Sequence, residues 1–329
     1  MRKGVMLMKN RLAVLAALSA LLSLILASQE VIASCREGLR LCAELILPSL
    51  FPFFVVSMLL AALGFPAALG KRVAPVARRL FGVSGAGATA LILGLSGGYP
   101  LGAAYLAELE RRGEIEARET ERLLLFCNNT GPAFLLGAVG GGVFRSASVG
   151  LLLYASHALA AFVTGLLLRS GDGAGDFPHA SAAPLPFSRA LSEAVRQTVT
   201  SLLSVCGFVV CFSILTGLLD SWGLLPALSA LLAARLPVSA QAARALLLGF
   251  FELGNGVGAL QGLPATPGNL ALAAGLVGWG GLSVHCQTLA VLSDSGAKSA
   301  PHTAGRLLSA VFGSLFAWGF AQLGLLLRS

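Results

Sequence analysis

Between Leu123 and Phe144 the chain reads LLLFCNNTGPAFLLGAVGGGVF, a run long and apolar enough to cross a bilayer. Asn128, Asn129, Thr130, Gly131 and Pro132 interrupt it at its centre. Two Asn side chains and the backbone freed before a proline need hydrogen-bond partners, and lipid offers none, so such a break must face protein or a wet cavity. Either the helix is merely kinked and its amides hold a neighbour, or two half-helices meet there and their ends bind cargo.

Composition supports the membrane reading. Of the 329 residues 56% are hydrophobic and 12% charged, and mean hydropathy is +0.82, outside the range of soluble domains. The net charge of +8 gathers beside apolar runs, at Arg2, Lys3, Lys9 and Arg11 and again at Lys71, Arg72, Arg78 and Arg79. That is the cytoplasmic-loop bias of membrane proteins and makes nucleic acid a poor partner. The six cysteines (35, 42, 127, 206, 211 and 286) form no CxxC pair, and the four histidines (157, 179, 285 and 302) are far apart, so neither a metal site nor a cofactor is expected. The basic start followed by Leu12 to Ala27 has no good cleavage site. Gln29 and Glu30 separate it from the lipoprotein-box-like IASC at 32–35, so it reads as an uncleaved first span.

Runs of about 20 apolar residues place crossings near 11–28, 45–64, 123–143, 146–168, 198–219, 269–293 and 304–327. Two other stretches have arms too short to span around a polar tip: Ala86 to Leu109, with SGGYP at its centre, and Ala245 to Leu263, with ELGNG. Both are expected to be re-entrant hairpins. A hairpin at 86–109 keeps the linker 110–122, with Arg111, Arg112, Arg118 and Arg122, on the cytoplasmic side with the 71–79 cluster. That linker reads as a solvated helical face. The Gly/Ala/Pro-rich stretch after Arg169 reads as a flexible cytoplasmic connector.

The expected fold is therefore all-α, a polytopic membrane protein. An anchor span and an interfacial helix at 1–44 precede a first repeat at 45–168, a connector at 169–197 and a second repeat at 198–327. Each repeat has a span, an interfacial amphipathic piece (66–80 and 224–236), a re-entrant hairpin, a broken span and a final span. The two repeats start on opposite sides of the membrane, which makes them inverted and brings tips and breaks to one centre.

The polar residues at membrane depth are the candidate site. Ser96, Gly97, Gly98 and Tyr99 in the first tip offer backbone N–H groups, a hydroxyl and a ring for a flat ligand, or simply a tight turn. Asn128, Asn129 and Thr130 can donate to and accept from a polar cargo. Glu252 and Asn255 lie in the second tip. A carboxylate at that depth is costly, which makes Glu252 a proton or cation coupling candidate unless the tip reaches surface water. Ser283, His285 and Gln287 follow the glycines of the second break, where a histidine can pair with an anion, carry a proton or sit hydrogen-bonded in a core. Asp294 and Ser295 read as solvated at the cytoplasmic exit. No Walker loop, HExxH, GxSxG or nucleophile with paired carboxylates is present, so enzymatic activity is not expected.

The segments LILPSLFPFF at 45–54, LSGGYPLGA at 95–103, ERLLLFCNNTGPAFLLGAVG at 121–140, ELGNG at 252–256 and GGLSVHCQ at 280–287 resemble the YlbJ family of sporulation integral membrane proteins, also called SpoVV. That family carries two nucleoside-recognition or Gate domains, similar to the core of concentrative nucleoside transporters. The resemblance implies secondary transport of dipicolinic acid from mother cell to forespore across the outer forespore membrane, without a cofactor. Asn128, Asn129 and His285 would then face a flat aromatic dicarboxylate, and Tyr99 its ring. The partners expected are a small anionic substrate, the bilayer and a coupling proton or cation; a homo-oligomer is compatible with this plan. The alternatives are a carrier of nucleosides or other organic anions, and a non-transporting scaffold or receptor built on the same fold.

Overall fold

The computed structural model describes residues 14–15, 17–169 and 184–326, and among them every regular element is a helix. A short apolar helix, α1 (Ala17–Leu26), precedes α2 (Ser28–Leu41), a π turn (Cys42–Ile46) and α3 (Leu47–Ala62). The last three form a single helical run of 35 residues. The expected boundary at residue 45 is therefore no break. Arg40 sits on the exposed side of that run, tied to Glu37 at 2.6 Å and to Glu44 at 3.2 Å. Glu37, Arg40 and Glu44 lie about one turn apart on one outward face, where the helix carries them without stopping.

The two halves then repeat one order of elements. The first long run turns at the left-handed Gly64 into α4 (Phe65–Phe81). The second half opens with α9 (Phe187–Ser221), again 35 residues, and turns at the left-handed Gly223 into α10 (Leu224–Arg235). Because α9 begins at Phe187, the end of the expected connector is helical; residues 170–183 of that connector, His179 among them, lie outside the described residues.

Each half continues with a serine-capped helix running to a tip. Ser84 Oγ accepts from Gly87 N at 3.1 Å to start α5 (Gly85–Gly97), and Ser239 Oγ accepts from Ala242 N at 3.1 Å to start α11 (Ala240–Phe251). The chain returns from the first tip as α6 (Leu101–Arg111) and from the second as α12 (Leu253–Gly258), and each returning arm packs on its partner. Both expected hairpins are present.

A broken segment follows in each half. In the first it is α7 (Ala117–Leu123), a non-helical stretch and a π helix (Ala133–Val143). In the second it is α13 (Pro267–Trp279) and α14 (Gly281–Val291), separated at Gly280. The halves close with α8 (Ala147–Leu167) and α15 (Ala300–Leu326).

Four helical runs are long and apolar enough to cross a bilayer: Ser28–Ala62, Ala147–Leu167, Phe187–Ser221 and Ala300–Gly324. Ala68–Phe81 and Gly85–Gly97, bent by 92°, make a fifth if counted as one span. The expected crossing at 123–143 is a non-helical stretch followed by the π helix, and that at 269–293 is the pair α13 and α14. The described part of the first expected crossing is the ten-residue α1. On α15 the apolar Leu307, Val311 and Leu315 recur every four residues and are more than half exposed, whereas Arg306, Ser309 and Ala317 are buried. An outward apolar stripe with an inward polar face inverts the soluble pattern and is what lipid as solvent demands.

The 92° corner between α4 and α5 is held by the charged linker. Glu119 Oε1 accepts from Ser84 N at 2.8 Å, at the start of α5, and Arg122 Nη2 donates to Phe81 O and Gly82 O, both at 3.2 Å, at the end of α4. An acid on a helix N-terminus and a base on a C-terminus each oppose the local dipole charge. Further along, Glu110 accepts from Ser295 Oγ and Gly296 N, both at 2.7 Å, and Glu121 accepts from Lys298 N at 2.9 Å. The linker is thus a clamp joining the first hairpin to the α14–α15 loop, and Ser295 is not simply solvated as expected.

Candidate substrate site

The first tip and the first break meet through glycine. Gly98, at φ +88°, and Gly131 approach so closely that a Cβ on Gly98 would stand 2.9 Å from Gly131 N. The second tip and second break do the same: a Cβ on Gly281, at φ +78°, would stand 2.9 Å from Leu253 N and 3.1 Å from Glu252 Cα. Only a residue lacking a side chain allows backbones this near. The two assemblies face each other, since Tyr99 of the first tip donates its hydroxyl to Val277 O of α13 at 3.1 Å.

Between them is a cavity of about 50 Å³. Its polar wall is Tyr99, Thr130, Glu252 and Gln287 with the backbone of Gly98, Gly131 and Gly254; its apolar wall is Ile46, Leu50, Phe134, Val205 and Val209. Three helices of eleven residues begin at or beside this wall: α6 after Tyr99–Pro100, the π helix after Gly131 and α14 at Gly281. The dipoles of these helices make the surroundings favourable to negative charge. A second, wider groove of about 690 Å³ opens between α3, α4, the first hairpin and α9, with Lys71, Arg111, Arg112 and Arg196 on its lining.

The expected residues divide into a wall and a support. Gly98, Tyr99, Thr130, Glu252 and Gln287 line the cavity. Glu252 is 3% exposed and caps α12, its Oε2 accepting from Asn255 N at 2.6 Å. Gln287 Nε2 donates to Ser283 Oγ at 3.1 Å, so Ser283 holds the amide rather than lining the space. Asn255 Nδ2 donates to Ser213 Oγ at 3.0 Å and pins the second tip to α9. Asn128 is fully buried behind the wall. Its Oδ1 accepts from Ala103 N at 3.3 Å and its Nδ2 donates to Thr288 Oγ1 at 3.0 Å, tying the first hairpin to α14 across the break. Asn129 Nδ2 donates to Phe126 O at 2.6 Å, which closes the turn of the break on itself. Ser96 Oγ bonds back to Leu93 O at 3.3 Å, and Gly97 packs against Leu101. His285 stands outside the cavity wall, its ring 4.3 Å from that of Trp279 and 5.0 Å from that of His302, with Nδ1 3.4 Å from Thr303 Oγ1.

Three buried polar residues escaped the sequence reading. Arg306, with no exposed surface, donates to Tyr99 Oη at 2.8 Å and to Asn129 Oδ1 at 3.4 Å. His157 Nε2 accepts from Thr130 N at 3.0 Å, and His302 is buried beside His285. The signal for Arg306 was present, as a cation four residues after a histidine at the start of an apolar run, but the same pattern marks an ordinary cytoplasmic helix end.

The fold and this centre define a polytopic integral membrane protein whose middle is built from two helical hairpin tips and two broken helices. Compared with known proteins, the chain is 32% identical over 308 residues to the sporulation integral membrane protein YlbJ of Bacillus subtilis (strain 168), a match covering 85% of this chain and 75% of that protein. The chain belongs to the YlbJ family of sporulation integral membrane proteins. It matches no family model, and no solved structure matches it.

Proposed function

We propose that this protein is a secondary transporter of a small aromatic anion, dipicolinate above all, acting during sporulation in the outer forespore membrane and carrying out no chemistry on its cargo. The observation that carries this reading is the cavity between the two tips, where three helix N-termini and the ring of Tyr99 surround a small space walled also by Thr130, Glu252, Gln287 and apolar side chains. Helix N-termini favour carboxylates, and an aromatic ring suits a flat heterocycle. At about 50 Å³ the space is smaller than such a cargo, so loading requires the tips to part. The parallel order of elements in the two halves supports inverted repeats that rock about the centre. Glu252 in the cavity wall is the coupling group: a proton taken up there would travel with the anion and offset its charge.

The test is uptake of radiolabelled dipicolinate and uridine into vesicles containing the purified protein. Dipicolinate should enter and unlabelled uridine should not compete. Uptake of uridine alone would favour a nucleoside carrier, and uptake of neither would remove the transport reading.

A further inference from the structure

Arg306 is the largest side chain wholly buried in the described part of the protein, and the cavity wall does not include it. A guanidinium stays charged at any ordinary pH, so burying it is expensive unless a carboxylate or several acceptors answer it. Among the described residues no carboxylate is within ion-pair distance of Arg306. Its hydrogen-bond acceptors, the Tyr99 hydroxyl and the Asn129 amide, are neutral, and its Nε has no partner. Glu252, the carboxylate of the cavity wall, caps α12 instead. Among the imidazoles of this region, His302, one turn back on α15, has no partner at either ring nitrogen, and His285 has none at Nε2.

The charge is therefore answered by no carboxylate, only by two neutral acceptors and the Tyr99 ring, and it stands one aromatic ring from the cavity. Its carbon lies 5.6 Å from the centre of the Tyr99 ring, and Tyr99 forms part of the wall. We propose that Arg306 is the residue that makes the site select anions. It does so without touching the cargo, by supplying the positive field behind the first tip and by positioning Tyr99 and the break at Asn129. Its ligand class is a small planar carboxylate, whose negative charge the buried guanidinium favours from behind the Tyr99 ring. In low dielectric a full charge acts across such a distance, and removing it should change the preference for an anion over its neutral analogue on the order of tenfold or more. This inference rests on the transport reading above.

The experiment compares pyridine-2,6-dicarboxylate with its uncharged diamide, by uptake into vesicles and by thermal stabilisation of the purified protein. The parent should prefer the dicarboxylate in both measurements. Arg306→Gln should lose that preference by about tenfold or more, while Arg306→Lys, which retains the charge, should retain most of it. Tyr99→Phe retains the guanidinium and loses only the hydroxyl, so it should alter rate or KM and leave the preference in place. An Arg306→Gln protein that still prefers the dicarboxylate as the parent does overturns the inference and leaves the transport reading standing. A Tyr99→Phe protein that loses the preference as completely as Arg306→Gln also overturns it, because positioning alone would then account for selectivity. If Arg306→Gln does not reach the membrane, the Arg306→Lys and Tyr99→Phe pair decides: loss of preference in Arg306→Lys, or in Tyr99→Phe, counts against a role for charge. A parent that binds and moves neither probe contradicts both readings together.

Discussion

Gly98 and Gly131 lie backbone against backbone, so that a Cβ placed on Gly131 would stand 2.9 Å from Gly98 N and 3.0 Å from Gly97 C. The first hairpin tip is thereby seated on the first broken helix. Gly131 is not in the left-handed region, so its requirement is for space alone. Gly131→Ala should push the tip off the break at a cost of roughly 1 to 3 kcal/mol, read as a lower midpoint of thermal unfolding in detergent, and transport should fall with it. A midpoint equal to that of the parent would mean that this contact does not hold the tip.

Asn128 joins Ala103 of the first hairpin to Thr288 of α14. Asn128→Ala leaves two buried groups unpaired and should cost roughly 1 to 3 kcal/mol of stability. Thr288→Val alone should cost less, and the double variant should be less destabilised than the sum of the two, with a coupling of about 0.5 kcal/mol or more. Strict additivity would mean that the bond contributes nothing.

The positions of the breaks and tips were legible because a helix carrying Asn, Gly and Pro together in an apolar run cannot pass unbroken through lipid. What those polar groups do was not legible from residue type. Asn128 and Asn255 read as ligands for cargo, yet their amides are bonded to other elements of the protein, a question of three-dimensional proximity that spacing along the chain does not answer. The helix from Ser28 to Ala62 runs well beyond the expected crossing at 45–64. Glu37, Arg40 and Glu44 pair along one exposed side, and a helix continues through charges that it can leave exposed. Arg306 was missed for the opposite reason, since a cation near the start of an apolar run looks like a cytoplasmic flank and only packing shows that it points inward.

The clamp between Glu110 and Ser295 requires the end of the first hairpin and the α14–α15 loop to share one side of the membrane. In a background lacking the six native cysteines, Arg118→Cys and Asp294→Cys should both be labelled by an impermeant maleimide only from the cytoplasmic side. Val238→Cys, in the turn before the second hairpin, should be labelled only from the opposite side. Labelling of all three from one side would remove the inverted arrangement.

Glu252→Gln retains the size and the hydrogen-bonding capacity of the side chain that caps α12 but fixes it uncharged. The variant should still exchange dipicolinate across the membrane in counterflow and should no longer concentrate it in response to a pH gradient. Accumulation equal to that of the parent would end the coupling role of Glu252. Loss of counterflow as well would place it in the binding site itself.

The most direct measurement concerns the cavity between the tips. Val205 of α9 lines it and is 7% exposed, so Val205→Cys in the cysteine-free background reports on its occupancy through the rate of alkylation. Saturating dipicolinate should slow that rate severalfold, while uridine at the same concentration leaves it unchanged. An alkylation rate indifferent to dipicolinate, in a protein that still takes dipicolinate up, would show that the cargo passes elsewhere.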